Sequence, residues 1–128
     1  MSPLVLDSGG VTGLSRQSQD AAAIMSTLKR DDIWPPLVPS VVLVECLRGR
    51  QRTDALTNRF LKICELSEDI PEHLARRAAA LRASARRGSA VDSIVVAMAE
   101  PGGTILTGDT EDLGALASYA DDVEVVRI

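Results

Sequence analysis

The chain has 128 residues, of which 45% are hydrophobic and 25% charged, enough for one globular domain whose core needs neither disulfides nor a structural metal. It contains one Trp, one Tyr and one Phe, too few for an aromatic platform that stacks nucleic-acid bases. The formal net charge is −4; without the five candidate acids discussed below, 13 acids face 14 bases, so charge neither supports nor excludes a phosphate-rich partner.

The cysteines and the amino terminus indicate the compartment. Cys46 and Cys64 lie far apart in apolar runs, without a C-x-x-C pair, so we expect buried free thiols in a reducing environment. No basic segment leads into a long apolar stretch, and no apolar run approaches membrane-spanning length. We therefore expect a cytoplasmic protein with no membrane partner. The sole histidine, His73, falls in the first turn of an exposed helix and is expected at the surface.

Helices and strands alternate along the chain. In order, the pattern predicts a strand over 4–6, a loop over 8–10, a helix over 21–30, a brief strand over 37–38, a helix from 41 to about 48, a helix through 56–61, a strand over 63–66, a helix over 71–87, a helix from 91, a buried strand over 104–107, a helix after an acidic turn at 109 and a final strand over 123–128. Ser40 could cap the helix that Gly49 ends.

This alternation predicts one α/β domain over residues 1–128, with a parallel sheet covered by helices on both faces. Ligands of such sheets bind beyond the carboxyl ends of the strands. Asp7 and Asp109 each follow a predicted strand, so we expect them to lie close together.

Glu45 is the most informative acid. Its predicted helix, VVLVECL, is apolar around almost its whole circumference, so the glutamate has no solvated side. Burying an uncompensated carboxylate costs several kcal/mol, which favours a functional role. The alternatives are an acid that reaches solvent at a helix edge, or one that pairs with Arg48.

The other acids each have a structural alternative. Asp7 could start a turn and accept a hydrogen bond from a following glycine amide. Ser89 and Asp92 have the spacing of a capping box. Asp109 could be a plain N-cap, with Asp112 favourable in the first turn of its helix.

Taken together, these acids indicate metal chemistry. Carboxylates packed closely raise one another's pKa unless a cation neutralises them. All-oxygen ligand sets favour hard divalent cations, and Mg²⁺ typically binds few carboxylates plus water and substrate phosphate. Such a site can activate water for phosphodiester hydrolysis. The P-loop pattern and the G-x-S-x-G pattern are both absent from the sequence.

Four sequence blocks in this order resemble the motifs of PIN-domain ribonucleases: LVLDS, SVVLVECLRG, DSIVVAMAE and TILTGDTEDL. Together they span essentially the whole chain, and its length resembles that of VapC toxins from toxin–antitoxin pairs. The sequence departs from the family in the prolines that crowd its second strand, in a compressed block before Asp92, and in Leu113, where an aromatic residue is common.

The resemblance implies a three-layer α/β/α sandwich on a parallel sheet of four or five strands. It implies a Mg²⁺- or Mn²⁺-dependent endoribonuclease that cleaves tRNA or rRNA, forms a homodimer and is inhibited by a cognate antitoxin. The matching catalytic and metal-binding acids are Asp7, Glu45, Asp92 and Asp109, with Asp112 as an additional or outer acid. Ser8 and Thr107 match the polar positions that orient the acids or bound water.

The substrate would also need cations. Arg48 and Arg52 follow Glu45 by about one and two helical turns and are candidate contacts to RNA phosphates, with a surface or antitoxin-facing role as the alternative. A further row of arginines on the helix over 71–87 is more typical of a solvated face than of an RNA track: Arg76, Arg77, Arg82, Arg86 and Arg87.

Three other classes of protein compete with this interpretation. A PIN-like module that binds RNA or a partner without cutting should lack one of the acids, and none is missing. A phosphoacceptor receiver domain needs a lysine near its last strands, whereas Lys29 and Lys62 are early. An aspartyl phosphatase needs D-x-D at the first strand end, where Gly9 stands in the second acidic position.

Overall fold

The structure is a computed structural model and describes residues 2–128. The strands are β1 (Leu4–Leu6), β2 (Leu37–Pro39), β3 (Glu65–Ser67), β4 (Thr104–Thr107) and β5 (Glu124–Arg127). The helices are α1 (Ser8–Ser15), α2 (Gln19–Arg30), α3 (Leu43–Cys46), α4 (Gln51–Leu61), α5 (Glu72–Ala85), α6 (Ala90–Ala99) and α7 (Thr110–Ala117), and a 3₁₀ turn (Ser40–Val42) precedes α3.

The strands form one parallel sheet in the order β3-β2-β1-β4-β5. Helix α1 packs against α2, α3 and α4, while α5, α6 and α7 pack against one another, which gives the two helical layers. The predicted three-layer α/β/α sandwich is therefore confirmed, with five strands. The chain first builds outward from β1 to β3 and then returns to add β4 and β5. The switch point of the sheet consequently lies between β1 and β4, where ligands of such folds bind.

The core is centred on these two strands. All three residues of β1 are buried, because a central parallel strand is covered on both faces. In β4, Ile105 is fully buried and Leu106 is 6% exposed. The carboxyl ends of both strands are consequently held in a rigid, water-poor setting.

The loop predicted over residues 8–10 is wrong, because α1 begins at Ser8. The glycines there serve close packing. A Cβ on Gly10 would lie 2.4 Å from the carbonyl oxygen of Leu106, so the first turn of α1 rests directly on the backbone of β4.

The helix predicted from 41 to about 48 is also wrong in its extent. A 3₁₀ turn replaces its start, Ser40 does not cap it, and α3 ends at Cys46. Leu47 is extended, with φ −101° and ψ 136°. The amides of the next three residues bond to a side chain of α4, which takes the place of further helical hydrogen bonds.

The other predicted elements are confirmed, with boundaries that shift by a few residues. Helix α5 follows Pro71 and turns Ala78 and Leu81 into the core.

Within residues 2–128, no helix is long and apolar enough to cross a membrane. Cys46 and Cys64 are free and half-buried, and burial raises the pKa of Cys64 to about 12.

Candidate functional site

Asp7 lies at the carboxyl end of β1 and caps α1. It is 5% exposed, and its Oδ1 accepts a hydrogen bond of 2.8 Å from the amide of Gly10. Its Oδ2 accepts a hydrogen bond from the hydroxyl of Thr107. The glycine-amide bond expected from the sequence is present, as part of a helix cap. Each carboxylate oxygen keeps a second lone pair for another partner.

Thr107 joins the two central strand ends. It is the last residue of β4, is fully buried, and donates its hydroxyl to Asp7. The same oxygen accepts the amide of Asp109 at 2.8 Å. One side chain thus sets the position of the first acid and of the chain segment that carries the fourth.

Two glycines let these segments touch. A Cβ on Gly9 would lie 2.6 Å from the amide nitrogen of Gly108, so side-chain-free backbone is required at this approach. Ser8, predicted to support the acids, is the first residue of α1, and its hydroxyl forms no hydrogen bond within the described chain. Thr107 alone makes the contact expected of the two polar positions.

Asp92 has the structural role that its sequence pattern allows. Its amide donates to the hydroxyl oxygen of Ser89 at 3.0 Å, and the Ser89 amide donates to Asp92 Oδ2 at 3.0 Å, which forms a complete capping box. Its other oxygen, Oδ1, accepts no hydrogen bond within residues 2–128. The charge of Asp92 raises the pKa of both Asp7 and Glu45, so it is close enough to act on both.

Asp109 likewise caps a helix. Its Oδ1 accepts the amides of Glu111 and Asp112, each at 3.2 Å. Asp112 itself pairs with Arg87, whose Nε lies 2.8 Å from its carboxylate. The structure therefore gives Asp112 a basic partner and leaves Asp109 with one carboxylate oxygen unbonded in the described chain.

Glu45 does not lie where the sequence argument placed it. Helix α3 is four residues long, and both Glu45 and its neighbour Val44 are exposed, the latter to 81%. The prediction of a buried glutamate is therefore wrong, and the alternative of an acid that reaches solvent is confirmed. Glu45 forms no ion pair with Arg48 in the described chain. Partial desolvation still raises the pKa of Glu45, as do the charges of Asp92 and Asp7.

The acids repel one another and lack a basic partner. Burial raises the pKa of Asp7, and the charges of Asp92 and Asp109 add to this rise, while the hydrogen bonds from Thr107 and Gly10 oppose it. Within residues 2–128, no lysine, arginine or histidine forms a salt bridge with any of the four acids. The site therefore has an excess of negative charge that a cation would relieve.

The donors suit a hard cation, but their spacing is loose. Within the described part of the chain, no three His, Cys, Asp or Glu side chains lie close enough together to hold a metal ion. Mg²⁺ commonly binds through one or two carboxylates and keeps several waters. Oδ1 of Asp92 and Oδ2 of Asp109 accept no hydrogen bond in the described chain, and any ion held by these acids would need water among its ligands.

The arginines divide into two groups. Three residues of the row form salt bridges within the protein. Arg76 pairs with Glu72 at 2.8 Å, Arg77 with Glu100 at 2.7 Å and Arg87 with Glu111 at 3.0 Å. Arg48 lines a cleft together with Glu45 and Arg16. Arg52, the other predicted phosphate contact, lies on α4 and does not line this cleft.

Two residues near the acids were not identified from the sequence. Arg16 directly follows α1 and lines the cleft. Asp54 is 5% exposed and lies beneath the loop after α3. Asp54 sits in the first turn of α4, a position typical of acids that bind backbone amides. This position could have identified Asp54 from the sequence, whereas no sequence pattern points to Arg16.

The fold and the site together define a doubly wound α/β protein with Asp7 and Asp109 linked through Thr107 at the switch point of its sheet. The chain is similar to PAE2754 from Pyrobaculum aerophilum, a solved crystal structure, with a TM-score of 0.66 and 14% sequence identity over 98% of this chain and 91% of that one. At this identity the likeness concerns the fold alone. No protein-family model and no curated protein match the sequence.

Proposed function

We propose that the protein is a Mg²⁺- or Mn²⁺-dependent endoribonuclease that hydrolyses phosphodiester bonds of structured RNA. The observation that carries the proposal is the linkage of Asp7, Thr107 and Asp109 at the switch point. Asp92 lies close enough for its charge to raise the pKa of Asp7. Acids without a basic partner at the ligand-binding edge of a sheet are the expected setting for a cation that binds phosphate.

The protein's own groups have distinct roles in this proposal. Asp7, Glu45, Asp92 and Asp109 would hold the ion, directly or through water. When bound, the ion would activate a water and stabilise the leaving oxygen. The hydroxyl of Thr107 and the amide of Gly10 fix the carboxylate of Asp7 in one orientation.

Preorganised ligands of this kind avoid reorganisation during the reaction. No histidine is required for this chemistry, in keeping with a single, exposed His73.

The biological setting is proposed from the resemblance of the four sequence blocks to VapC toxins. It comprises tRNA or rRNA as substrate, a homodimer, a cytoplasmic location and a cognate antitoxin as inhibitor. A PIN-like module that binds without cutting is the second candidate, and the presence of all four acids favours the enzyme over it.

The test is cleavage of total cellular RNA by the purified, antitoxin-free protein, with Mg²⁺ or Mn²⁺ and then with EDTA. Asp7→Asn and Asp92→Asn each keep an oxygen that can accept the amide of Gly10 or Ser89, so both should fold. Asp69→Asn changes an exposed acid outside the site and is the control.

We expect discrete fragments from the wild type and from Asp69→Asn, and none in EDTA or from the two site variants. If folded wild-type protein cleaves no RNA with either ion, the enzyme proposal is wrong and the binding module replaces it. Cleavage that persists in EDTA would equally exclude the metal-dependent reaction.

A further inference from the structure

A second buried carboxylate lies outside the four acids. Asp54 in α4 is 5% exposed, and its oxygens accept three consecutive backbone amides. The amide of Arg48 lies 2.9 and 3.1 Å from the two oxygens, that of Gly49 lies 2.9 Å from one, and that of Arg50 lies 3.1 Å from the same one. These hydrogen bonds lower the pKa of Asp54, so it is charged whenever the protein is folded near neutral pH.

This arrangement fixes the loop after α3 and turns its side chains outward. The three amides point at the carboxylate, and the side chains of Arg48 and Arg50 are exposed. Gly49 has φ +81°, and a Cβ there would meet nothing within 4 Å, so conformation and not space requires glycine. Within residues 2–128, neither arginine forms a salt bridge. The loop therefore presents the side chains of Arg48 and Arg50 to solvent from a fixed backbone.

A cleft of about 270 Å³ lies between α1, this loop and α4, next to the acids. Glu45 is on its wall, so the cleft adjoins the candidate active site. Arg16, directly after α1, and Arg48 from the loop supply two guanidinium groups. Thr12 and Thr57 line the cleft with further hydroxyl groups, while the Ser15 hydroxyl already donates to the carbonyl of Thr12. Asp54 also lines the cleft, with its carboxylate bonded to the loop amides. Guanidinium and hydroxyl donors are the groups that bind phosphate oxygens in nucleic-acid complexes.

We propose that this cleft binds a backbone phosphate of the RNA strand beside the acids, between Arg16 and Arg48, and that Asp54 is a positioning residue for the phosphate-binding loop. The inference rests on the proposed function in taking the anion to be RNA. With one Trp, one Tyr and one Phe in the chain, bases have few stacking partners, so the strand is bound chiefly by its phosphates.

The first test measures binding without cleavage. Fluorescence anisotropy of a labelled oligouridylate in EDTA is recorded over a range of NaCl concentrations for the wild type, Arg16→Gln and Arg48→Gln. Each variant should bind about tenfold more weakly, and the slope of log Kd against log [NaCl] should fall by about 0.7 per lost phosphate contact. Arg30→Gln, an exposed arginine at the end of α2, should match the wild type.

The role of Asp54 has its own test, because charge and position predict opposite signs. Asp54→Asn removes a negative charge near Arg48, so charge alone predicts tighter RNA binding. Loss of the fixed loop predicts binding weakened several-fold, which is the result we expect. Gly49→Ala disturbs the same loop through its positive φ without changing charge and should also weaken binding.

Tight binding by a folded Asp54→Asn or Gly49→Ala would overturn the positioning role. Wild-type affinity and salt slope for both Arg16→Gln and Arg48→Gln would overturn the phosphate cleft itself. These failures differ from failure of the proposed function. RNA binding that depends on the two arginines, without cleavage in Mg²⁺ or Mn²⁺, would support the phosphate cleft and contradict the proposed ribonuclease activity. Cleavage that neither arginine variant affects would support the ribonuclease activity and contradict the phosphate cleft.

Discussion

The hydroxyl of Thr107 hydrogen-bonds to the carboxylate of Asp7 across the two central strands, at the point where the sheet reverses its strand order. The same hydroxyl oxygen accepts the amide of Asp109. Since Thr107 is fully buried and Asp7 is 5% exposed, water cannot readily replace the bond between them if the hydroxyl is removed. The side chain therefore couples the stability of the sheet to the geometry of the acids.

Thr107→Val should show this coupling. Valine has the same shape but leaves the part-buried amide of Asp109 and a buried carboxylate oxygen of Asp7 without a protein partner, so we expect a loss of about 1–3 kcal/mol in the free energy of unfolding. Urea denaturation followed by circular dichroism measures it. Thr27→Val on the exposed face of α2 should change stability by less than about 0.5 kcal/mol. Equal stabilities for the two variants would show that the hydrogen bonds of Thr107 make no net contribution to the free energy of unfolding.

The raised pKa of Asp7 predicts an unusual pH dependence. Because the folded-state pKa lies above the ordinary value of 3.8, the folded protein binds this proton more tightly than the unfolded chain does. The destabilising effect of Asp7 is therefore complete above the folded pKa and is relieved as pH falls through it. Asp7→Asn should be more stable than the wild type at neutral pH without metal, with a gap that closes on acidification. A gap that widens toward low pH would contradict the raised pKa.

Divalent cations should stabilise the protein through the same acids. An ion that binds the folded state alone adds about 2.7 kcal/mol at a concentration near 100 times its Kd. We expect Mg²⁺ and Mn²⁺ to raise the Tm of the wild type and to raise that of Asp7→Asn much less. NaCl at matched ionic strength controls for general screening. An identical response of the two proteins to Mg²⁺ would mean that Asp7 takes no part in ion binding.

The sequence predicted the parts of the structure that depend on local patterns. The strand that ends at Asp7, the strand before Asp109 and the capping box of Ser89 and Asp92 all follow from short-range spacing and capping chemistry, and each is present. The topology rule for parallel sheets then predicted that Asp7 and Asp109 lie close together. This part of the candidate site could therefore be predicted from the sequence.

The sequence interpretation was wrong where distant contacts decide the outcome. The apolar run around Glu45 favours a long buried helix, yet Asp54, nine positions later, binds the amides of the following loop and α3 stops at Cys46. Glu45 is exposed as a consequence. In the same way, Gly9 and Gly10 resemble a turn in sequence, but their function is to let a helix approach a neighbouring strand.

The glycine contact gives the last prediction, in which two effects of opposite sign compete. Replacing a helical glycine by alanine favours the helix by about 1 kcal/mol. At Gly10, the new Cβ would lie 2.4 Å from the carbonyl oxygen of Leu106, a backbone atom that cannot move without shifting β4. Overpacking of this kind costs about 1–3 kcal/mol or more, so Gly10→Ala should be destabilising overall.

Gly114→Ala in α7 is the matched control, because its Cβ would meet nothing within 4 Å. It should stabilise the protein by about 0.5–1 kcal/mol, since the gain in helix propensity is unopposed. Thermal and urea unfolding of both variants measure the two signs directly. If Gly10→Ala is as stabilising as Gly114→Ala, α1 does not rest on the backbone of β4, and the position of Asp7 beside Thr107 must be held in another way.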